Sequence, residues 1–294
     1  MIDFCVILND QIFHCSNELL YPKFELVVFS NQLVKQIADG RSWRLHKLIL
    51  QPKAALNQEK ILIRRFLSSD GKTELLLCIM GNFENGATFG YEIIDNLFKA
   101  LNKDYCLDNF PVFIESKADA IKSLCELLSA NHLGSAYEDL INSQAKHEIF
   151  LGNPQPLYSG ISVNGLPILS MLYDNQQILN VKDHDKRDLI TTLLSGQLAT
   201  ISANAYIRAD CFVDSIQIKI SPFEDRFIFF NFAQFGFEHS YNFEFLTSGD
   251  PEAIGQIKQQ ILEKLKRYDV FSAPFGGGLK MYQQVRPELE QISF

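Results

Sequence analysis

The sequence predicts an α/β chain of the α+β kind, built as two units that each carry a five-stranded antiparallel sheet in the order β-β-α-β-β-β-α. Three observations lead there. Two apolar runs, Tyr158 to Val163 and Leu166 to Tyr173, flank Asn164-Gly165, the dipeptide that most readily supplies the pair of positive φ angles in a tight hairpin turn. Phe212 to Ile220 sets Ile216, Ile218 and Ile220 against Gln217 and Lys219, the period of a half-buried strand. Residues 1–103, read by the same rules, return the element order found from Tyr158 to Tyr268, with corresponding elements about 155 to 170 positions apart by their hydrophobic runs.

In chain order, Ile2 to Leu8 is an apolar strand, Asn9-Asp10 a turn, and Gln11 to Cys15 the returning strand. Pro22 to Ala38 is double-valued: Phe24 to Phe29 is rich in strand formers, while Leu26, Phe29, Leu33 and Ile37 fit one helical face. Pro22 at a first-turn position and Gly40 just past the end favour helix. Ser42 to Gln51, Lys60 to Leu67 and Thr73 to Gly81 read as three strands, the last two joined across Asp70-Gly71, and Phe89 to Leu101 as the closing helix. Ser116 to Ala130 and Ser135 to Lys146 read as extra helices of this first unit, residues 1–146. A linker, 147–156, follows, in which Asn153-Pro154-Gln155-Pro156 breaks regular structure. The second unit, 157–270, continues past the Asn164-Gly165 hairpin with a helix from Asp185 to Arg208, strands at Phe212 to Ile220, Arg226 to Ala233 and Tyr241 to Leu246, and a helix from Asp250 to Tyr268. Residues 271–294, with Phe275-Gly276-Gly277-Gly278 and Pro287, read as a tail with little core of its own.

Composition narrows the function classes. The 294 residues are 47% hydrophobic and 21% charged, ordinary globular material, with a net charge of −8 and a pI near 5.3. Lys and Arg never run longer than a pair, which argues against an extended phosphate-binding face and against nucleic acid as a partner. The first residues lack a basic segment before their apolar run, and nowhere do 18 uncharged apolar residues run together, so the expectation is a cytoplasmic protein with at most peripheral membrane association. The six cysteines are scattered without a C-x-x-C pair, so neither disulfides nor zinc are expected.

No constellation points to chemistry. The six histidines never pair at helical spacing, Ser159-Gly160 and Ser195-Gly196 lack the rest of a nucleophile elbow, and Gly276-Gly277-Gly278-Leu279-Lys280 lacks the strand, spacing and hydroxyl residue of a phosphate loop. Asp183, His184, Asp185 and Asp188 precede a helix, where carboxylates complement its positive end. No catalytic, cofactor-binding or metal-binding residue is therefore assigned, and no cofactor. One stripe stands out. At 100° per residue Thr192, Gly196, Ala199 and Ala203 share a narrow arc opposite Ile190, Leu194, Ile201 and Ala205, which predicts a small-residue interface that a second helix could approach.

Two units in this order, each opening with a hairpin such as Tyr158-Ser-Gly-Ile-Ser-Val-Asn-Gly-Leu-Pro-Ile-Leu, resemble the longin and roadblock group of domains. Gly160 to Leu169 carries the specific part, an apolar strand, a Gly-containing turn and a second strand of the Leu-Pro-Ile-Leu kind; Met1 to Cys15 matches more loosely. The resemblance implies a non-enzymatic scaffold of the vesicle-trafficking or small-GTPase-regulating type. It would pair with itself as a homodimer or with a longin/roadblock sister subunit, and bind or regulate a Ras-like GTPase. The alternatives are a trafficking or signalling adaptor subunit without GTPase contact, and a small-molecule sensor with a site between the units.

Overall fold

The computed structural model describes residues 3–83, 87–104, 106–109, 119–120, 122–123, 126–127, 154–173, 178–179, 181, 184–221 and 226–291. Of the expected helix from 116 to 130 only 119–120, 122–123 and 126–127 are described, all helical, while the expected helix from 135 to 146, most of the linker and the turn at 222–225 lie outside the described residues. The chain divides into two compact units, one of Met1–Gln32 with Leu45–Glu148, the other of Leu33–Arg44 with Ile149–Phe294.

The fold is α+β. In the first repeat β1 (Asp3–Leu8), β2 (Gln11–Cys15), helix α1 (Tyr21–Ala38, whose residues from Leu33 on group with the second unit), β3 (Arg44–Pro52), β4 (Glu59–Leu67), β5 (Glu74–Gly81) and helix α2 (Ala87–Asp104) follow in the expected order. The strands lie β2-β1-β5-β4-β3, and the pairs of β1 with β2, β1 with β5, β4 with β5 and β3 with β4 are antiparallel. Residues 22–38 are helix. Pro22 sits in its first turn, where a missing N–H costs nothing, and Asp39 and Gly40 at φ 52° and 79° end it in the left-handed conformation that terminates helices. The β-branched run inside it does not decide the outcome, because Phe24, Leu26 and Val27 are all buried in the helical form. The α2 side chains Ile94, Leu97 and Leu101 pack on Phe4, Val6, Leu62, Leu77 and Ile79 from one face of the sheet. A polar network ties α1 to the first hairpin: Asn31 donates to Asp10 at 3.0 Å and to the buried Glu74 at 3.1 Å, and Glu74 also pairs with Arg65.

The second unit repeats the order with β6 (Gln155–Val163), β7 (Leu166–Leu172), helix α3 (His184–Ile207), β8 (Cys211–Lys219), β9 (Phe227–Phe235), β10 (Tyr241–Ser248) and helix α4 (Pro251–Leu265). Its strands lie β8-β9-β10-β6-β7, the same arrangement as in the first unit, again with antiparallel pairs. Phe229, Tyr241, Phe243 and Phe245 face α4, where Ile254, Ile261 and Leu265 cover them. Ile216 and Ile218, opposite Phe230 and Ile228, are fully buried. Residues expected to be a tail complete this core instead. Tyr282 and Val285, in a 3-10 helix (Leu279–Val285), and Leu289, in helix α5 (Arg286–Glu290), pack beside Phe271, and Tyr241 Oη hydrogen-bonds the Ala273 carbonyl at 3.0 Å and the Tyr282 hydroxyl at 2.9 Å. The Gly-rich stretch hides this from the sequence, because the apolar residues that return to the core come only after it. Among the described residues no helix is long and apolar enough to cross a membrane.

Candidate functional site

The sequence-predicted interface lies on α3, and the structure spreads its four residues over two environments. Ala199 is fully buried and Ala203 half-buried beside the β6–β7 turn: a Cβ on Gly165 would stand 3.2 Å from the Ala203 Cβ and 3.9 Å from the Ala199 carbonyl. Asn164 and Gly165, at φ 48° and 84°, let the turn lie this close, so part of the small-residue stripe accommodates a hairpin of its own unit. Thr192 is exposed, and a Cβ added to the half-buried Gly196 would meet nothing within 4 Å. The opposite arc behaves as expected, with Ile190, Leu194, Ile201 and Ala205 buried.

Beneath α3 lies a buried carboxylate that the alternation of β10 conceals. Glu244 is 1% exposed, opposite Gly160 on β6 and Phe232 on β9. Ser162 Oγ donates to its Oε1, and loss of water pushes its pKa up to about 8, so the carboxyl holds its proton at neutral pH. Tyr158, fully buried on the same face, runs along its own strand so that its hydroxyl sits over Gly160. A Cβ there would overlap that hydroxyl and come within 3.2 Å of Glu244 Oε2. The Tyr158 hydroxyl has no hydrogen-bond partner among the described residues, and burial raises its pKa well above the phenol range. Gly160, Ser162, Tyr158 and Glu244 therefore form one buried cluster.

The same face opens at its other end into a pocket of about 390 Å³ within the second unit. Its lining includes the polar cross-strand neighbours Gln234 and Asn242, Asn164 in the hairpin turn, and Ser202 on α3, which is 6% exposed with an Oγ that has no hydrogen-bond partner among the described residues. Tyr206, Phe237 and Phe275 contribute aromatic walls. The rim is the β9–β10 connection, where Gly236, Glu238 and His239 hold φ of 73°, 47° and 57°. Two of these are not glycine, and left-handed backbone at such positions costs on the order of 1 kcal/mol each. None of these residues carries a local motif. The pocket depends on register and on a helix end meeting a strand connection, neither of which leaves a mark in sequence spacing.

Three cysteines fall in one row across the first unit's sheet, since Cys5 pairs with Cys15 on one side and with Cys78 on the other. All three are free thiols, and burial raises Cys5 and Cys78. Cys15 is lowered by its hydrogen bond with Cys5. The two serines that precede glycine have structural partners: Ser159 shares a hydrogen bond with Tyr173 Oη at 2.8 Å, and Ser195 donates to the Thr192 carbonyl at 3.0 Å. Among the described residues no group of three or more His, Cys, Asp or Glu side chains is placed to hold a metal ion.

No family model matches the chain, and no curated protein matches it. Among solved structures it is similar to one described as an RNA-binding light-oxygen-voltage receptor, at 10% identity over 90% of this chain and 98% of that one, with a TM-score of 0.21. A likeness at that level says nothing of this chain's fold or function.

Proposed function

We propose that the chain is a non-enzymatic scaffold that pairs through two longin/roadblock-like units and binds or regulates a Ras-like small GTPase. The observation that carries this reading is the repetition of one strand arrangement, second-first-fifth-fourth-third, with a helix after the second strand and another after the fifth, in both units. The outer side of α3 supplies the pairing surface. A glycine in mid-helix costs roughly 0.5 to 1 kcal/mol against alanine, and among the described residues no neighbour requires the absence of a Cβ at Gly196. A close approach from another chain, either a second copy or a sister subunit, accounts for it. The partners are cytoplasmic proteins in this reading, with membrane contact at most peripheral.

The test is a binding titration of the purified chain against Ras-like GTPases, each prepared nucleotide-free, with GDP and with a non-hydrolysable GTP analogue. A regulator or effector should discriminate among these states by about tenfold or more, which is about 1.4 kcal/mol of differential affinity. Equal affinity in all three states would favour an adaptor role, and absence of binding across the panel would remove the GTPase from the proposal.

A further inference from the structure

We propose that the pocket at the C-terminal end of α3 binds a neutral, planar nitrogen heterocycle of the nucleobase or nucleoside class. The inference stands apart from the scaffold reading, since it rests on one cavity of the second unit and on no partner protein.

The first argument is hydrogen bonding. Gln234 and Asn242 are directly paired across β9 and β10, so their side chains leave the same face of the sheet with Cβ atoms about 5 Å apart. Each carboxamide offers a donor and an acceptor side by side, the pattern that matches the adjacent donor and acceptor on the edge of a purine or pyrimidine. Ser202 adds a hydroxyl that can donate or accept. It is one-sided in its surroundings: nine-tenths buried, lining the cavity, and without the bond to a preceding helical carbonyl that helical serines commonly make. A buried hydroxyl without a partner costs about 1 to 3 kcal/mol, a cost that a polar ligand would relieve.

The second argument is shape. The volume of about 390 Å³ falls in the range of small-molecule sites, and Tyr206, Phe237 and Phe275 line it with rings on which a flat heterocycle can stack.

The third argument is charge, and it narrows the class. Among the described residues no Lys or Arg lines the pocket, its ionisable side chains being Glu238 and His239, and the cavity lies against the last turn of α3, the negative end of the helix dipole. A phosphate would be disfavoured there, so the ligand is a base or nucleoside and not a nucleotide.

Calorimetric titration of the full chain with adenine, adenosine and uridine tests the proposal, with adenosine monophosphate and ribose as the discriminating probes. The expected result is saturable one-site binding of at least one base or nucleoside, at least tenfold weaker binding of the monophosphate than of adenosine, and none of ribose. Gln234→Met and Asn242→Leu, close in volume to the originals, should each weaken binding about tenfold or more while the far-ultraviolet circular dichroism and melting midpoint of at least the half-buried Gln234 variant stay in place. No saturable binding of any of the three probes up to millimolar concentration would overturn the proposal. So would a monophosphate that binds as well as adenosine, or binding that survives Gln234→Met unchanged.

Discussion

Glu244 is the residue whose environment differs most from what its neighbours in sequence suggest. Tyr241, Phe243 and Phe245 alternate with Asn242 and Glu244, as though β10 kept one face wet, yet α3 covers the second face and Glu244 is buried with Ser162 as its hydrogen-bond partner. The burial has a consequence for stability. An acid whose value rises from 4.5 to about 8 on folding binds its proton more tightly in the native state. Its contribution is complete below the unfolded value and is lost as pH climbs through the folded one, at about 1.4 kcal/mol per pH unit in between. Urea unfolding at pH 5, 7 and 9 should therefore show the parent chain losing stability toward alkaline pH. Glu244→Gln, neutral throughout and still able to accept from Ser162, should flatten that slope and be the more stable of the two at pH 9. Parallel pH profiles for the two proteins would mean that Glu244 is ionised in the folded state. No local pattern could have revealed this cluster, because Gly160, Ser162 and Glu244 meet only through the pairing of β6 with β10.

At the scale of the element, what the sequence disclosed was whatever short-range chemistry decides. Asn9-Asp10 and Asn164-Gly165 both adopt the paired positive φ angles that tight hairpins require, and the flanking strands follow from them. The helix α1 was legible from its two ends and not from its interior, since Phe24 to Phe29 suits a strand equally well. Long-range features were not legible: the row of Cys15, Cys5 and Cys78 needs the register of three strands, and the pocket needs the end of α3 beside the β9–β10 connection. The helix α3 itself shows both situations. Its large residues announce the buried arc, but whether the small residues meet a turn or solvent depends on where the hairpin lies. Gly196→Ala separates these roles. With open space around the added methyl, the substitution should raise the stability of the chain by roughly 0.5 to 1 kcal/mol, read as a higher denaturation midpoint. If the outer face is a contact in an assembly, the same variant should sediment as a smaller species or bind its partner more weakly. A lowered midpoint would show that the site is already filled within the chain.

At the scale of the molecule, the two units repeat one topology, but the covalent chain does not divide as simply as the repeat. Residues 33–44 group with the second unit although they precede most of the first. This segment holds the end of α1 and its left-handed stop, and contacts among the described residues join it to the rest of the second unit: Arg41 Nη1 donates to the Ile178 carbonyl, and Lys186 pairs with Asp39 at 2.7 Å. Arg41 is itself held by the Ile37 and Ala38 carbonyls and lies 4.0 Å from the centre of the Trp43 ring. The ion pair contributes little, since Asp39 is solvent-exposed and such pairs are typically below about 1 kcal/mol. The segment also carries buried apolar side chains. Leu33, Val34, Ile37 and Trp43 are all at most 5% exposed, and burial of a large apolar side chain is worth about 1.5 to 3 kcal/mol. A fragment of residues 149–294 contains every strand of the second unit but omits this segment, so it should fold with a native-like circular dichroism spectrum and a clearly lower denaturation midpoint than the same unit in the full chain. Adding a synthetic peptide of residues 33–44 in excess should recover part of the loss, by the mass action that any ligand of the native state exerts. If the fragment alone matched the full chain in midpoint, the segment would be only adjacent to the second unit, and the repeat in topology would also be the division in stability.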